Sequence, residues 1–504
     1  MSFKSLHVTT LGVPRIGSRR ELKFALESYW SGKSDASSLL ETAARLRAES
    51  WARQAAAGVA NIPSNDFSLY DHVLDTSVMV GAIPDIYGWK SGEVALDVYF
   101  AMARGSGKSG DQTACGCGPG ESRAGAPAQE MTKWFDTNYH FMVPEFTQDQ
   151  AFTLASQKPL EHFLEAKSLG HHTRPVLLGP VTYLRLGKSA DADFDPLSLL
   201  DRLLPVYAEI LGKLSASGAD WVQMDEPCLV LDMNTETRDA LRRSYAYFAE
   251  KLPELKIMLA TYFGGLGDDL DLALNLPVSG VHLDLVRAPE MLETAVSQAS
   301  HDLVLSLGVI DGRNVWRADL ERLYGWLKPV IAQRADGSIE LAPSCSMLHV
   351  PIDLDQEIDL DPDVKEWLAF SVQKIEELVT LATALKTGPD AVAGQLSASR
   401  LAADRRKASP KVHDPAVTAR LRSVTPGMGH RHSAYAARAR VQRDILKLPL
   451  FPTTTIGSFP QTAEVRKARA AHTKQQLSDT EYASFLRNET AGGNRPRCAG
   501  PWRI

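Results

Sequence analysis

Polar and reactive side chains follow a series of apolar runs in this sequence, at the points where those runs end. Asp225 and Glu226 follow one run, and Ser344 and Cys345 follow another. The ends of other runs carry Asn138, Tyr139, His140, Thr261, Tyr262, Asp284, Asp311 and Arg313. Carboxylates, imidazoles and hydroxyls bind substrates and move protons in active sites. Any single one could instead cap a helix or tie a loop, so the recurrence from run to run is what indicates a site.

Two cations near the N-terminus could bind an anionic ligand. Arg20 and Lys23 lie three residues apart in the run Arg20-Glu21-Leu22-Lys23, on one face at the start of a predicted helix. Both residue types donate charge-assisted hydrogen bonds to carboxylates. On spacing alone, however, a solvated helix face explains such a pair more often than a binding site does.

The cysteines do not suggest a metal site. Cys115 and Cys117 could supply two thiolates, but no histidine or further cysteine nearby completes a four-ligand zinc set. A flexible Gly-rich loop is the better interpretation of this pair. Five cysteines, an odd and small number, are typical of a reducing compartment, and we predict a cytoplasmic protein.

The elements that must position these side chains alternate between short apolar runs and longer amphipathic stretches up to about residue 385. This alternation is typical of βα units around a parallel sheet. The candidate strands are TTLGVPR, DTNYHFMV, RPVLLGP, DWVQMDEP, KIMLATYFG, GVHLDLV, DLVLSLGVID and IELAPSCS. Eight strands close a (βα)8 barrel, whose active site forms at the carboxyl ends of the strands. We therefore predict an α/β fold with a TIM-type barrel over residues 1–385.

The remaining sequence divides into segments of different composition. Residues 105–128 are small and loop-forming and predict an exposed insertion in the barrel, whereas residues 386–445 predict a partly helical linker. In residues 446–488 the run Thr454-Thr455-Ile456-Gly457 resembles Thr9-Thr10-Leu11-Gly12, which indicates a duplicated barrel. A barrel needs about 250 residues, so we expect this second copy to be truncated. Residues 489–504 are rich in Gly, Pro and Arg and are predicted to be a disordered, aberrant tail.

Composition argues against several classes of partner. The 504 residues are 44% hydrophobic and 23% charged, and none of their segments approaches the ~20 apolar residues of a membrane helix. No secretion signal is recognisable at the N-terminus. The net charge is -6, and the basic residues are spread along the chain. We therefore expect neither a membrane nor a nucleic acid as partner.

Several motifs, in this order, resemble segments of the cobalamin-independent methionine synthase family. They are LGVPRIGSRRELKFALESYW, YDHVLD, MTKWFDTNYHFMVPEF, GPVTYLRLGK, WVQMDEPCLVLD and TTTIGSFPQT. The resemblance runs from about residue 8 to 488, with a gap at 105–128. It implies two face-to-face (βα)8 barrels joined by a helical linker. It also implies transfer of a methyl group from 5-methyltetrahydropteroyltri-L-glutamate to L-homocysteine without cobalamin.

The resemblance also implies binding residues. Arg20, Glu21, Leu22, Lys23 and Lys133 match the positions that bind the folate polyglutamate. The motif Ile456-Gly457-Ser458 matches the site for homocysteine or methionine, where glycine allows close backbone approach and serine can bond a carboxylate.

The zinc of the family activates the homocysteine sulfur and is held by His, two Cys and Glu in the second barrel. None of these ligands has a counterpart in this sequence, and neither have the family's catalytic residues. We therefore predict no metal-binding or catalytic residue in this chain, no activity of the chain alone, and a monomer. The alternatives are a non-catalytic folate-polyglutamate-binding module and one half of a split enzyme. A further hypothesis is that residues 105–128 and 489–504 arose by out-of-frame reading, and resequencing of the gene tests it.

Overall fold

A computed structural model describes residues 6–106, 125–190, 194–334, 337–452 and 462–494, the last range with side chains to residue 491. Contacts divide the chain into two compact units, Met1–Asp414 and Pro415–Ile504. This division falls inside the segment 386–445 that was predicted to be a linker.

The strands of the structure are short. They are β1 (Leu6–Val8), β2 (Ile62–Ser64), β3 (Met131–Lys133), β4 (His140–Met142), β5 (Glu145–Phe146), β6 (Thr173–Leu178), β7 (Lys188–Ser189), β8 (Trp221–Asp225), β9 (Lys256–Ala260), β10 (Gly280–Asp284), β11 (Val304–Ile310) and β12 (Ile339–Pro343).

The helices of the first unit surround the sheet or cover its ends. They are α1 (Glu21–Trp30), α2 (Ala36–Ala56), α3 (His72–Met79), α4 (Leu96–Arg104), α5 (Lys158–Ser168), α6 (Pro180–Leu186), α7 (Leu200–Ala216), α8 (Thr235–Lys251), α9 (Leu270–Asn275), α10 (Met291–Gln298), α11 (Leu320–Ile331), α12 (Pro362–Glu366), α13 (Ser371–Thr387) and α14 (Ala393–Ala408).

Eight parallel strands form a closed barrel. Their order is β1-β12-β11-β10-β9-β8-β6-β2. The ring closes between its first and last strands through a parallel bridge from Thr9 to Asn61, beside a hydrogen bond from Ala60 N to Val8 O of 2.9 Å. Strands β6, β10 and β12 are buried along their whole length, as expected when helices cover a parallel sheet. The predicted barrel is therefore confirmed.

Two of the eight predicted barrel strands, DTNYHFMV and TTLGVPR, were misplaced. DTNYHFMV is not a barrel strand, because β4 within it pairs antiparallel with β3 in a hairpin, with Lys133 opposite His140. The second barrel strand is instead β2, a run of three residues that includes Pro63 and gives almost no periodic signal. The run TTLGVPR begins at the end of β1, so only Thr9 of that run pairs in the barrel.

Helix α14 belongs to the barrel unit although it lies beyond residue 385. Leu396 and Ala402 are buried, and Leu320 N at the start of α11 donates to Ser399 Oγ at 3.1 Å. Arg405 Nη1 contacts Glu366 Oε1 at 2.6 Å. The first half of the predicted linker thus packs as an outer layer of the barrel.

The described ends of the predicted insertion 105–128 are paired with each other. Ser106 N donates to Ala126 O at 2.8 Å, and Gly125 N donates to Ser106 O at 2.9 Å. Residues 107–124 lie outside the described residues.

The second unit contains the helices α15 (Pro415–Arg422), α16 (Tyr435–Leu446), α17 (Ala463–Thr473) and α18 (Asp479–Asn494). Ile456, Gly457 and Ser458, predicted to bind homocysteine, lie outside the described residues. Helix α18 extends to Asn494, so residues 489–494, which were predicted to begin a disordered tail, are helical. Among the described helices of both units, none is long and apolar enough to cross a membrane.

Candidate binding site at the barrel mouth

The β3–β4 hairpin is fastened across the carboxyl ends of the barrel strands. Asp136 in its turn accepts hydrogen bonds from Arg287 Nη2 at 3.0 Å and from Arg313 Nη1; these arginines follow β10 and β11. The Phe135 ring lies 5.7 Å from that of Phe263, which follows β9. The segment DTNYHFMV, which was predicted to be a barrel strand, therefore belongs to a hairpin that covers the mouth of the barrel.

A pocket lies at the mouth beneath this cover. Its polar lining consists of Arg15, Asn65, Asp66, His72, Asp75, Thr76, Lys158, Asp225, Tyr262, Ser346 and His349. Its apolar lining includes Leu11, Met79, Trp134, Leu178, Phe263 and Leu348. These residues come from or directly follow several different strands, as in the active sites of barrel enzymes.

Two carboxyl groups in the pocket have raised pKa values. Burial raises the pKa of Asp225 to about 7, although Gln223 Nε2 and Tyr262 Oη donate to it at 2.7 and 2.9 Å. Burial also raises the pKa of Asp66 to about 6, against the hydrogen bond from Val13 N at 3.1 Å. Burial disfavours the charged form of an acid, and among the described residues neither carboxylate has an ion pair that reverses this effect.

Two cations lie in the same pocket. Arg15 donates through Nη2 to Tyr70 O and to Tyr139 Oη, the latter at 3.1 Å. Lys158 Nζ donates to Asp75 Oδ2 at 2.8 Å and to Asn65 Oδ1 at 3.2 Å. Burial lowers the pKa of Lys158, an effect that Asp75 partly offsets.

The two histidines of the pocket are neutral at physiological pH. Burial lowers the pKa of His72 to about 3 and that of His349 to about 4. The His72 ring packs edge-on against Trp134, with 4.3 Å between centroids, and His349 lies beside Phe263 at 5.7 Å. Both imidazoles thus contribute aromatic surface without positive charge.

Other strand-end residues fasten the backbone. Glu226 accepts hydrogen bonds from Val181 N and Thr182 N at the start of α6, at 3.2 and 2.7 Å. It fits there because Gly179 has no Cβ, which would otherwise lie 2.1 Å from Glu226 Cδ. Asp284 accepts from Phe263, Val286 and Arg287 backbone amides. A structural role, in which each carboxylate holds backbone segments together, therefore explains the contacts of Glu226 and Asp284.

The predicted folate-binding run lies at the start of α1. Leu22 is buried in an apolar cluster, and Glu21 Oε2 accepts a hydrogen bond from Arg19 N at 2.9 Å. Arg20 is exposed, with a left-handed φ of 64°. Lys23 is also exposed, and its ammonium group lies 3.7 Å from Glu27 Oε1. Of the four side chains, the two cations are therefore the ones presented to solvent.

Lys133 is exposed on β3 of the hairpin. The paired strand contributes Met142 to the same apolar cluster that contains Leu22 and Leu26 of α1. Helix α1 and the hairpin therefore pack into one apolar cluster, and each presents a predicted folate-binding cation at its surface.

Four pocket residues, Asp66, Asp75, Lys158 and Arg15, were not predicted from the sequence. Asp66 comes two residues after β2, so the missed strand concealed a strand-end carboxylate. Asp75 was within the quoted motif YDHVLD, but its pairing with Lys158, 83 residues away, has no local signal.

The described residues do not fit the zinc ion that the resemblance implies. No group of three or more His, Cys, Asp or Glu side chains among them is arranged to hold a metal ion. Burial raises the pKa of the Cys228 and Cys345 thiols, which disfavours the thiolate that zinc requires.

Comparison with known proteins decides the family. The sequence model described as "Cobalamin-independent synthase, N-terminal domain" matches residues 7–335. The chain belongs to the cobalamin-independent synthase family. The catalytic-domain model of the same family matches residues 451–493. The predicted family is therefore confirmed.

Curated relatives within the cobalamin-independent synthase family carry the name 5-methyltetrahydropteroyltriglutamate–homocysteine methyltransferase. The chain is 64% identical over 486 residues to the protein from Nitrobacter winogradskyi, covering 96% of this chain and 63% of that protein. It is 62% identical over 492 residues to one from Rhodopseudomonas palustris, covering 97% and 62%. The Caulobacter vibrioides relative is 60% identical over 488 residues, covering 96% and 62%. The chain thus spans a little under two thirds of the length of these relatives.

Proposed function

We propose that the barrel of this chain binds the triglutamate tail of 5-methyltetrahydropteroyltriglutamate, for methyl transfer to L-homocysteine. The name of the relatives supports the reaction, and their identity of 60–64% to this chain supports its assignment to this protein. We also propose that the protein is a cytoplasmic monomer.

The proposal rests on how little three exposed cations, Arg20, Lys23 and Lys133, are paired with carboxylates of the chain itself. Arg20 and Lys133 have no ion pair within the described part of the chain, and Lys23 has only the 3.7 Å contact with Glu27. A triglutamate tail is a row of carboxylates, which arginine and lysine bind through charge-assisted hydrogen bonds. Because these cations are not neutralised internally, their binding of the tail would not require the breaking of a strong ion pair.

For the amino-acid substrate we propose Ile456, Gly457 and Ser458. Zinc chemistry would need His, two Cys and Glu in the second barrel, as the resemblance implies. Cys498 is the single cysteine in residues 446–504, so the set is incomplete in these 504 residues. We therefore propose that this polypeptide alone binds folate without forming methionine.

Calorimetry with mono- and triglutamate forms of 5-methyltetrahydrofolate tests tail binding. We expect the triglutamate to bind at least about tenfold more tightly, and Lys23→Ala and Lys133→Ala each to reduce this preference. Lys256→Ala is the matched control, because Lys256 is exposed at the opposite, amino-terminal end of β9. Equal affinity for both forms would exclude tail binding.

A methyl-transfer assay with added zinc tests the second part of the proposal. We expect no methionine above background from homocysteine and the triglutamate. Turnover by the purified polypeptide would show that it supplies its own catalytic centre. Activity that appears only with a separately expressed catalytic barrel would favour the split enzyme.

A further inference from the structure

The mouth pocket contains an arrangement of opposite charges that the proposed tail binding does not use. Lys158 and Asp75 form an ion pair of 2.8 Å and largely offset each other's charge. Arg15 then remains as a cation, and Asp66 and Asp225 remain as acidic groups. The two histidines are neutral, as described above. The lining of the pocket therefore contains a basic group, Arg15, and two acidic groups, Asp66 and Asp225, which we call its basic and acidic poles.

Arg15 and Asp66 can each form hydrogen bonds beyond those that they form with the described residues. A guanidinium has five N–H donors, but only Nη2 of Arg15 has partners there, so Nε and Nη1 have none. On the acidic side, Asp66 accepts the Val13 amide through Oδ2 at 3.1 Å, and no side chain among the described residues donates to its carboxylate. Both side chains are half-buried in the lining, and a ligand that supplied an acceptor and a donor would use this remaining capacity.

The pocket is small, with a cavity volume of about 70 Å³. At roughly 10–15 Å³ for each water molecule, this is space for about five to seven waters. A small metabolite therefore fits this cavity.

The walls of the pocket have the features of a preformed site. Asn65 and Phe263 both line it with left-handed backbone angles, φ of 63° and 79°. For a bulky residue such as phenylalanine this conformation is strained, and such strain is concentrated at ligand sites. Trp134 and Leu178 supply apolar surface to the same lining.

We propose that this pocket binds a small zwitterion of the α-amino-acid class. The ligand carboxylate would bind Arg15, its ammonium group would bind Asp66 and Asp225, and its side chain would contact Trp134. The residues that line this site all belong to the first barrel, and Arg20, Lys23 and Lys133 are not among them. This pocket therefore adds an amino-acid site to the function proposed above.

The test uses the full 504-residue chain and calorimetric titration with glycine, L-alanine and L-leucine. We expect at least one to bind with a dissociation constant below 10 mM, on the order of the weakest specific ligands. For L-leucine the matched analogues are 4-methylpentanoate, which lacks the amine, and 3-methylbutylamine, which lacks the carboxylate. Each analogue should bind at least about tenfold more weakly than the amino acid. An analogue that binds as tightly as its parent, or no binding by any of the three amino acids, overturns the proposal.

Variants locate the site. Asp66→Asn keeps an acceptor for the Val13 amide while removing the negative charge. Arg15→Lys keeps the positive charge while removing the forked set of guanidinium donors. Each substitution should weaken amino-acid binding at least about tenfold. Asp85→Asn is the control, at an exposed carboxylate outside the pocket. Triglutamate binding should be unchanged in all three variants, which checks that each is folded and separates this proposal from the preceding one. Unchanged amino-acid affinity in a folded Asp66→Asn protein would falsify the assignment.

Discussion

Individual side chains in this barrel have properties that follow from burial more than from residue type. Asp225 and Glu226 are adjacent, and burial raises the pKa of each to about 7. Yet Asp225 faces the pocket, whereas Glu226 accepts backbone amides at the start of α6. Their order in the sequence predicted a shared place at a strand end but not these separate roles, because the roles depend on atoms from other strands.

The raised pKa of Asp225 leads us to expect that the free energy of unfolding depends on pH. The usual pKa of an aspartate side chain is about 3.9, whereas the pKa of Asp225 in the folded protein is about 7. Between these two pH values the carboxyl group keeps its proton in the folded protein and loses it in the unfolded chain. Its contribution to folding therefore becomes less favourable as pH rises from about 4 through 7. Between pH 6 and 8 the natural chain should lose about 1 kcal/mol more stability than Asp225→Asn.

Urea unfolding of both proteins at the two pH values measures this difference. Asp85→Asn, at an exposed carboxylate, controls for loss of a surface charge. Parallel pH dependences of Asp225→Asn and the natural chain would contradict a raised pKa at Asp225.

Among the elements, the β3–β4 hairpin depends on contacts made by its turn. Asp136 joins it to Arg287 and Arg313, which follow different strands. Asp136→Ala removes both ion pairs, each partly exposed and worth at most about 1 kcal/mol. We expect faster amide exchange in the hairpin, at Trp134 N for example, with little change in the melting temperature of the whole unit.

Hydrogen-exchange mass spectrometry measures the protection of residues 131–142. Asp239→Ala is the matched control, because its carboxylate pairs with Arg242 within the same helix. Equal loss of protection in both variants would mean that Asp136 does not hold the hairpin.

The elements also show how far the sequence predicts the fold and the site. The six barrel strands between residues 173 and 343 were recognisable because each is a continuous apolar run, whereas β1 was predicted a few residues too late and the hairpin was mistaken for a barrel strand. Strand β2 was missed because three residues with Pro63 carry no periodic signal; its recognition depends on pairing with β6, more than 100 residues later. The exposed cations Arg20, Lys23 and Lys133 were predictable from motifs. The pocket was not, since Arg15, Asp66 and Lys158 meet only in the folded barrel.

For the molecule as a whole, helix α14 sets the extent of the stable barrel unit. Leu396 and Ala402 are buried and Ser399 bonds the start of α11, so removal of α14 exposes apolar surface on the barrel. We expect a polypeptide of residues 1–414 to melt several degrees above one of residues 1–385. Calorimetric melting compares the two, with Leu401→Ala in residues 1–414 as a control at an exposed position of α14. Equal melting temperatures would show that the barrel ends before α14.

The closure of the ring has a consequence for synthesis on the ribosome. Strand β1 forms its main pairing with β12, where Leu6 lies opposite Ile339, whereas its contact with the other neighbour consists of the bridge from Thr9 to Asn61 and the hydrogen bond from Ala60 N to Val8 O. At about 5–20 residues per second, β12 emerges roughly 15–70 s after β1. Throughout that interval one edge of β1 has no strand to pair with. The nascent chain therefore carries an open edge for most of its translation, and a chaperone that shields strands near the N-terminus would have its longest period of action on this segment.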